Sequence, residues 1–221
     1  MSSGWPVERA RGPARRFHDR PLHEPASRLV SVLEVDRPAL VLGSTQSESS
    51  VDVAALEAAG VTLVRRRSGG GAVLLVPGES IWVDVVVPRG DDVWDDDVGR
   101  SFHWLGGVWA AALGDLGIVA EVHTGGLICT PWSRLVCFGG LGPGEISVDG
   151  RKAVGLSQRR ARHAARFQCA LLRRWSAAEV VGLLALDDDE RARAVAGLDH
   201  AAVGLPIDAE DVVGALLDRL P

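Results

Sequence analysis

Three guanidinium groups run directly into three glycines in Arg65-Arg66-Arg67-Ser68-Gly69-Gly70-Gly71-Ala72-Val73, between two apolar runs. Residues without side chains let backbone N–H groups approach a ligand closely, and arginine offers a rigid fork of donors matched to carboxylate or phosphate. The combination predicts an anion-handling loop, although taken alone it is better read as a glycine-rich turn after solvated arginines. About 80 residues later, Gly150-Arg151-Lys152-Ala153-Val154-Gly155-Leu156-Ser157-Gln158-Arg159-Arg160 places a lysine in a short alternating run that reads as a strand. Gly155 lets that strand pass close to a ligand or marks a bulge, and Ser157 and Gln158 offer hydrogen bonds. Lys152 alone is better explained by a surface position beside a hairpin turn, and only the upstream loop turns the balance toward a catalytic role. An ordinary P-loop is not indicated, because the glycine spacing is wrong and no hydroxyl follows the lysine.

Together the two segments resemble the catalytic module of the lipoate-protein ligase and octanoyltransferase family. Its members carry an Arg-Arg-x-Ser/Thr-Gly-Gly loop and a later Lys-x-x-Gly-x-Ala/Ser-Gln strand. The resemblance covers roughly residues 38–175 and implies a biotin/lipoate protein ligase-like α+β fold. It also implies that Arg65, Arg66, Ser68, Gly69, Gly70, Gly71 and Ala72 line the acyl and phosphate pocket together with Gly155, Ser157 and Gln158. Lys152 would then stabilise charge developing on phosphorus or carbon. Gly43 and Gln46, in Leu42-Gly43-Ser44-Thr45-Gln46, look like the family's Gly-x-x-Gln segment at the pocket edge, and a polar turn is an almost equally good account. The implied activity is attachment of lipoate or a related medium-chain acid to a lysine of a lipoyl-domain protein through an acyl-adenylate, using ATP and Mg.

Cys137 divides the enzyme readings. In the octanoyltransferases a cysteine followed by phenylalanine precedes the lysine strand and carries the acyl group as a thioester, and Cys137-Phe138 stands in the corresponding place. A thiolate near cationic groups suits that role, while a buried core cysteine closing an apolar run is the competing account. Gly71 favours the ligase, since the cysteine-dependent enzymes often have arginine there. Three departures bear on the transfer of function. Leu74-Leu75-Val76-Pro77-Gly78-Glu79 replaces the histidine-containing turn of many ligases, Ser44 stands where the family usually has arginine, and only a few helices follow Trp175. The resemblance therefore implies an accessory subunit among the partners, and the non-enzymatic alternative is a protein that binds an acyl carrier or a lipoyl domain. A biotin ligase is disfavoured by the missing Gly-Arg-Gly-Arg signature.

The elements that must position these residues follow from periodicity. Strands are expected at 29–35, 39–43, 61–64, 72–76, 80–87 and 135–138, then a hairpin of 145–148 and 152–157 about Asp149-Gly150, and a strand near 167–172. Helices are expected at 51–59, closed by Gly60, and at 98–116, 176–184 and 208–220. This order predicts an α+β class with a mixed or antiparallel sheet covered by helices. The chain divides into a basic, mobile segment over 1–27 and a catalytic domain over 28–221. A hairpin-edge position implies that replacing Lys152 with alanine should leave the fold intact.

The net charge of −5 argues against a nucleic-acid partner. No uncharged apolar run reaches about 18 residues, so no membrane span is expected. With no secretory apolar segment near the start, the reading is cytoplasmic. Cys129, Cys137 and Cys169 form no Cys-x-x-Cys pair, so no metal site is expected, and Cys169 reads as a core residue.

Overall fold

The computed structural model describes residues 4–221. The chain opens with β1 (Val7–Gly12) and α1 (Ala14–His18), followed by β2 (Leu29–Val35) and β3 (Ala39–Leu42) on either side of the proline that was expected to separate them. Helix α2 (Val53–Ala59) starts where the Asp52 carboxylate accepts from Ala55 N at 3.0 Å and stops at Gly60, whose φ of 64° suits glycine. Strand β4 (Thr62–Arg65) delivers the chain to the arginine-glycine loop, and β5 (Val73–Leu75) and β6 (Ser80–Pro88) carry it away. A single 3-10 turn at Arg100–Phe102 leads into α3 (His103–Asp115), then β7 (Glu121–Val122). Strands β8 (Ile146–Val148) and β9 (Arg151–Arg160) form the expected hairpin, with Asp149 and Gly150 at φ 50° and 73° as a two-residue turn requires. The chain ends with β10 (Ala164–Leu172), α4 (Ala177–Gly182), α5 (Asp188–Leu198) and α6 (Ala209–Arg219).

Both sheets are mixed. The larger runs β1-β2-β6-β10-β9-β8-β7 and is parallel at β1 and β2 alone, while the smaller runs β4-β3-β5 with β3 parallel to β4. Alternation along β6 sends its two faces to different cores. Ile81, Val83, Val85 and Val87 pack with Leu105, Trp109 and Leu113 of α3 and Val212 and Leu216 of α6. Trp82 points the other way, joining Phe17, Leu33, Val35, Val41 and Leu75 between the two sheets. A further core of Leu40, Leu42, Leu56, Val180, Val181 and Leu198 seals the outside of the smaller sheet beneath α2, α4 and α5. The two sheets thus face each other across this shared core.

Three expectations needed correction. The N-terminal segment, expected to be mobile over 1–27, is built into the fold from Trp5 onward, with residues 1–3 outside the described range. Strand β1 extends the large sheet beside β2, Phe17 is fully buried, and Trp5 donates to Pro221 O at 2.7 Å. Most of β1 faces solvent, so backbone pairing and ion pairs such as Arg9 with Glu210 hold it in place of an apolar stripe, and periodicity could not reveal it. The expected strand at 135–138 is reduced to a single bridge between Ala72 and Val136, after which Cys137–Gly139 form a 3-10 turn. Helix α5 was missed because its charged sequence buries only Ala194 and Leu198.

Candidate active site

The arginine-glycine loop is held from within. Arg66 is 5% exposed, and its guanidinium donates to Gly69 O at 2.7 Å, Gly71 O at 2.8 Å and Val41 O at 3.2 Å. The fork expected to grip a ligand is therefore committed to the chain's own carbonyls and gives the loop its shape. Arg65 likewise donates to Gly43 O at 3.2 Å and to Gln46 O, and lies 3.4 Å from Glu48. Gln46 accepts from Gly43 N at 2.9 Å and donates to Arg134 O and Leu135 O, both at 3.1 Å, stapling two loops. Ser68 meets the Ser157 hydroxyl at 3.0 Å, and Ala72 exchanges backbone bonds with Leu135 and Cys137.

Close backbone approach explains the glycines. A Cβ at Gly43 would sit 1.9 Å from Gly70 O, and one at Gly71 would sit 2.6 Å from Val136 C and 2.7 Å from Cys137 N. Gly71 is thus required by packing. Gly70, at φ 97°, and Gly69 are exposed, and among the described residues nothing accepts from the N–H groups of Gly69 or Gly70. These are the loop's free donors.

Lys152 lies opposite, 3% exposed rather than on the surface. Its ammonium is 2.6 Å from Glu145 Oε2 and donates to Cys137 O and Gly140 O at 3.1 Å each, over the Phe138 ring at 5.0 Å. Glu145 accepts in turn from Gly142 N at 2.7 Å and Leu156 N at 3.0 Å. The register is irregular between Ile146 and Ser147, and Lys152 forms a parallel bridge with Ala202, its N–H donating to Ala201 O at 3.0 Å and its carbonyl accepting from Val203 N at 2.9 Å. The C-terminal region thereby fixes the backbone of the lysine. Sequence reading missed Glu145, although a carboxylate seven residues before a lysine across a two-residue hairpin is a usable signal.

Two cavities meet here. An open cleft of about 790 Å³ is lined by Gln46, Gly69, Gly70, Gly71, Glu145, Lys152, Ser157 and Gln158 among others. A narrower apolar pocket of about 50 Å³ runs between the two sheets past Arg66, Val73, Trp82, Phe138, Gly155 and Gln168. Cys137, Leu156 and Ser157 line both, and so mark the mouth of one into the other. Of the expected site residues, Gly43, Arg65, Ser68 and Ala72 line neither and act as support. Gln158 donates to the Ser101 hydroxyl at 3.1 Å, and its own carbonyl oxygen is buried with no partner. Cys137 is half-buried, Cys129 is exposed on the cleft wall, and Cys169 is fully buried with its thiol pushed well up by desolvation.

The apolar pocket is lined in part by His18 and Gln168, which sequence reading did not single out, with Asp84 packed beside Gln168. His18, 7% exposed, lies on Trp82 with ring centroids 4.6 Å apart, and burial together with the Arg66 and Arg166 charges pushes it down to about 3, so it is neutral. Asp84 accepts from Trp82 Nε1 at 2.6 Å and lies 3.8 Å from Arg166, and burial nevertheless pushes it up to about 6.

Two facing mixed sheets, a glycine loop with free N–H groups and a buried lysine where an apolar pocket opens into a cleft define a biotin/lipoate ligase-like catalytic domain, the scaffold of an enzyme of the ligase or transferase kind. Residues 16–217 match the Lipoyl protein ligase A/B catalytic domain, and the chain belongs to that family. Among solved structures, it is similar to an archaeal bi-partite lipoate protein ligase, described with its E2 lipoyl domain, from Thermoplasma acidophilum, at 16% identity and TM-score 0.76, over 97% of this chain and 81% of that one. It is also similar to the T. acidophilum protein Ta0514 with bound lipoic acid, at 16% identity and TM-score 0.72, over 99% and 84%. A lipoate-protein ligase A bound with ATP matches at 17% identity and TM-score 0.71, over 99% and 84%. At these identities the likeness is one of fold. None of the curated proteins matches the chain. Among the described residues, no helix is long and apolar enough to cross a membrane, and no group of three or more His, Cys, Asp or Glu side chains could hold a metal ion.

Proposed function

We propose that this chain attaches lipoate or a related medium-chain acid to a lysine of a lipoyl-domain protein, activating the acid with ATP as an acyl-adenylate. The observation that carries the reading is the position of Lys152, a buried ammonium bonded to Cys137 O where the apolar pocket opens into the cleft, in the same cleft as the free N–H groups of Gly69 and Gly70. An acyl tail in the pocket would bring its carboxyl head to Lys152, and the cleft has the volume of an ordinary small-molecule site. Lys152 can exchange its bond to Cys137 O or Gly140 O for one to a carboxylate or phosphate oxygen while Glu145 keeps hold of it. The charge then meets the reacting centre already oriented.

The cleft offers Mg a poor set of ligands. Its one carboxylate among the described residues, Glu145, already accepts from Gly142, Leu156 and Lys152.

Cys137 favours a second reading, because it lines both cavities and its carbonyl accepts from Lys152. Its thiolate would take the acyl group from a carrier-protein thioester, release the carrier thiol, and pass the group to the acceptor lysine. One experiment separates the two. An apo lipoyl domain is incubated with lipoate and MgATP, or with octanoyl carrier protein, and its mass is followed. Gain from lipoate and ATP that persists in Cys137→Ser supports the ligase. Gain from the octanoyl carrier alone, lost in Cys137→Ser with a hydroxylamine-sensitive adduct on the wild type, replaces it with the transferase, and no gain from either donor leaves a binding protein.

A further inference from the structure

The cleft carries one charge that nothing beside it cancels. Two cationic residues line it, Lys152 and Arg134. Lys152 lies 2.6 Å from the Glu145 carboxylate, so its charge is balanced before a ligand arrives. Arg134 is exposed, and among the described residues its guanidinium pairs with no carboxylate and donates to no other group. Its backbone, by contrast, is fixed on both sides. Arg134 O accepts from Gln46 Nε2 at 3.1 Å, Leu135 N donates to Trp132 O at 2.9 Å, Leu135 O accepts from Ala72 N at 2.8 Å, and the Ser133 hydroxyl donates to Gly139 O at 3.0 Å. Arg65 and Arg66 spend their donors on the chain's own carbonyls, and Arg134 keeps all of its own. Thr45 and Ser47, on either side of Gln46, line the same cleft and add hydroxyls, as do the free N–H groups of Gly69 and Gly70. Arg134 also stands three residues before Cys137, whose carbonyl accepts from Lys152. Three residues span at most about 10 Å, a gap that an extended arginine side chain and a pair of linked phosphates can bridge.

Adenylation sends charge toward such a group. A carboxylate oxygen bonds to the α-phosphorus of ATP, the bond from that phosphorus to the bridging oxygen breaks, and pyrophosphate leaves with the electron pair. Negative charge therefore grows on the leaving group, beyond the carboxyl head that meets Lys152, and a cation placed there in advance stabilises it. A guanidinium fork matches phosphate oxygens. Resting on the ligase reading above, we infer that Arg134 binds the β- and γ-phosphates of ATP and holds them as pyrophosphate departs, while Lys152 serves the carboxyl and the α-phosphate.

The test splits the reaction in two. Wild type, Arg134→Gln and Arg134→Lys are given an apo lipoyl domain with either lipoate and MgATP or preformed lipoyl-adenylate, and the mass gain is followed. Inorganic pyrophosphate is titrated into each protein by calorimetry and into each reaction as an inhibitor. Arg134→Gln should lower kcat/KM for ATP by roughly 10- to 100-fold, as expected for hydrogen bonds to a charged group, and weaken pyrophosphate binding and inhibition by a similar factor. Arg134→Lys, which keeps the charge but loses the fork, should recover part of both. Transfer from lipoyl-adenylate, which involves no pyrophosphate, should proceed in all three proteins at one rate. Arg134→Gln slowing both routes equally, or slowing neither, overturns this inference while leaving the ligase standing. Use of lipoyl-adenylate but not of ATP by wild type also overturns it, since the chain then lacks the step that releases pyrophosphate. No product from either donor overturns the ligase reading, and this inference with it.

Discussion

Removing Lys152 should cost stability as well as chemistry, contrary to what a hairpin-edge lysine suggests. Its side chain and that of Glu145 are 3% and 7% exposed and 2.6 Å apart. In Lys152→Ala the Glu145 carboxylate stays buried with only the Gly142 and Leu156 N–H groups beside it. Breaking one side of a buried pair costs about 3–5 kcal/mol, a large share of the roughly 5–15 kcal/mol that holds a domain folded. Adding Glu145→Gln removes the stranded charge and leaves about one N–H imperfectly paired, worth roughly 1–3 kcal/mol. The double variant should therefore be no less stable than Lys152→Ala, with a coupling energy of about 2 kcal/mol or more, whereas independent sites add to within about 0.5 kcal/mol. Urea unfolding followed by tryptophan fluorescence measures this, since Trp82 and Trp109 are buried and report on both faces of the large sheet. Lys152→Ala within about 1 kcal/mol of wild type, or additive costs in the double variant, would refute the reasoning. Loss of transfer in Lys152→Ala counts as chemistry only at temperatures where its circular dichroism matches the wild type.

Arg66→Lys loses the fork that reaches Gly69 O, Gly71 O and Val41 O together, so thermal unfolding should report a loss of about 1–3 kcal/mol and calorimetry weaker binding of an acyl-adenylate analogue; unchanged values would show that the charge alone matters. Gly43→Ala drives a methyl onto Gly70 O, 1.9 Å from the ideal position, and should cost about 1–3 kcal/mol by forcing the loops apart, with product yield falling in parallel; a fully active, equally stable variant would show that the loops are not in contact. His18 is held near 3 against an ordinary 6.5, so its contribution is present above about pH 6.5 and is lost as pH falls toward 3. Asp84, raised to about 6, works in the opposite sense, its contribution lost as pH rises through 6, and it is common to both proteins. Wild type minus His18→Phe stability should therefore fall by about 2 kcal/mol between pH 7 and pH 5, and a difference independent of pH over that interval would place a charged His18 in the fold.

Sequence alone determined the local elements and the kind of chemistry. The β-rich apolar run over 29–35, alternation in 80–87, the Asp149-Gly150 turn, Gly60 at the end of α2, and the pairing of an arginine-glycine loop with a later lysine strand all act over a few neighbouring residues, where propensity and periodicity are legible. Tertiary structure decided which groups are left free for a ligand. Arg66 and Lys152 were readable as cations, but not that Arg66 would spend its donors on its own loop or that Glu145 would hold the lysine. The N-terminal strand escaped notice because it is held by β2 and by charges such as Glu210, and carries no apolar stripe of its own. His18 reaches Gln168 across 150 positions of sequence and Ser68 reaches Ser157 across 89. A buried polar group takes whatever partner the packed sheets bring within about 3 Å, and that choice is made only when the chain closes on itself.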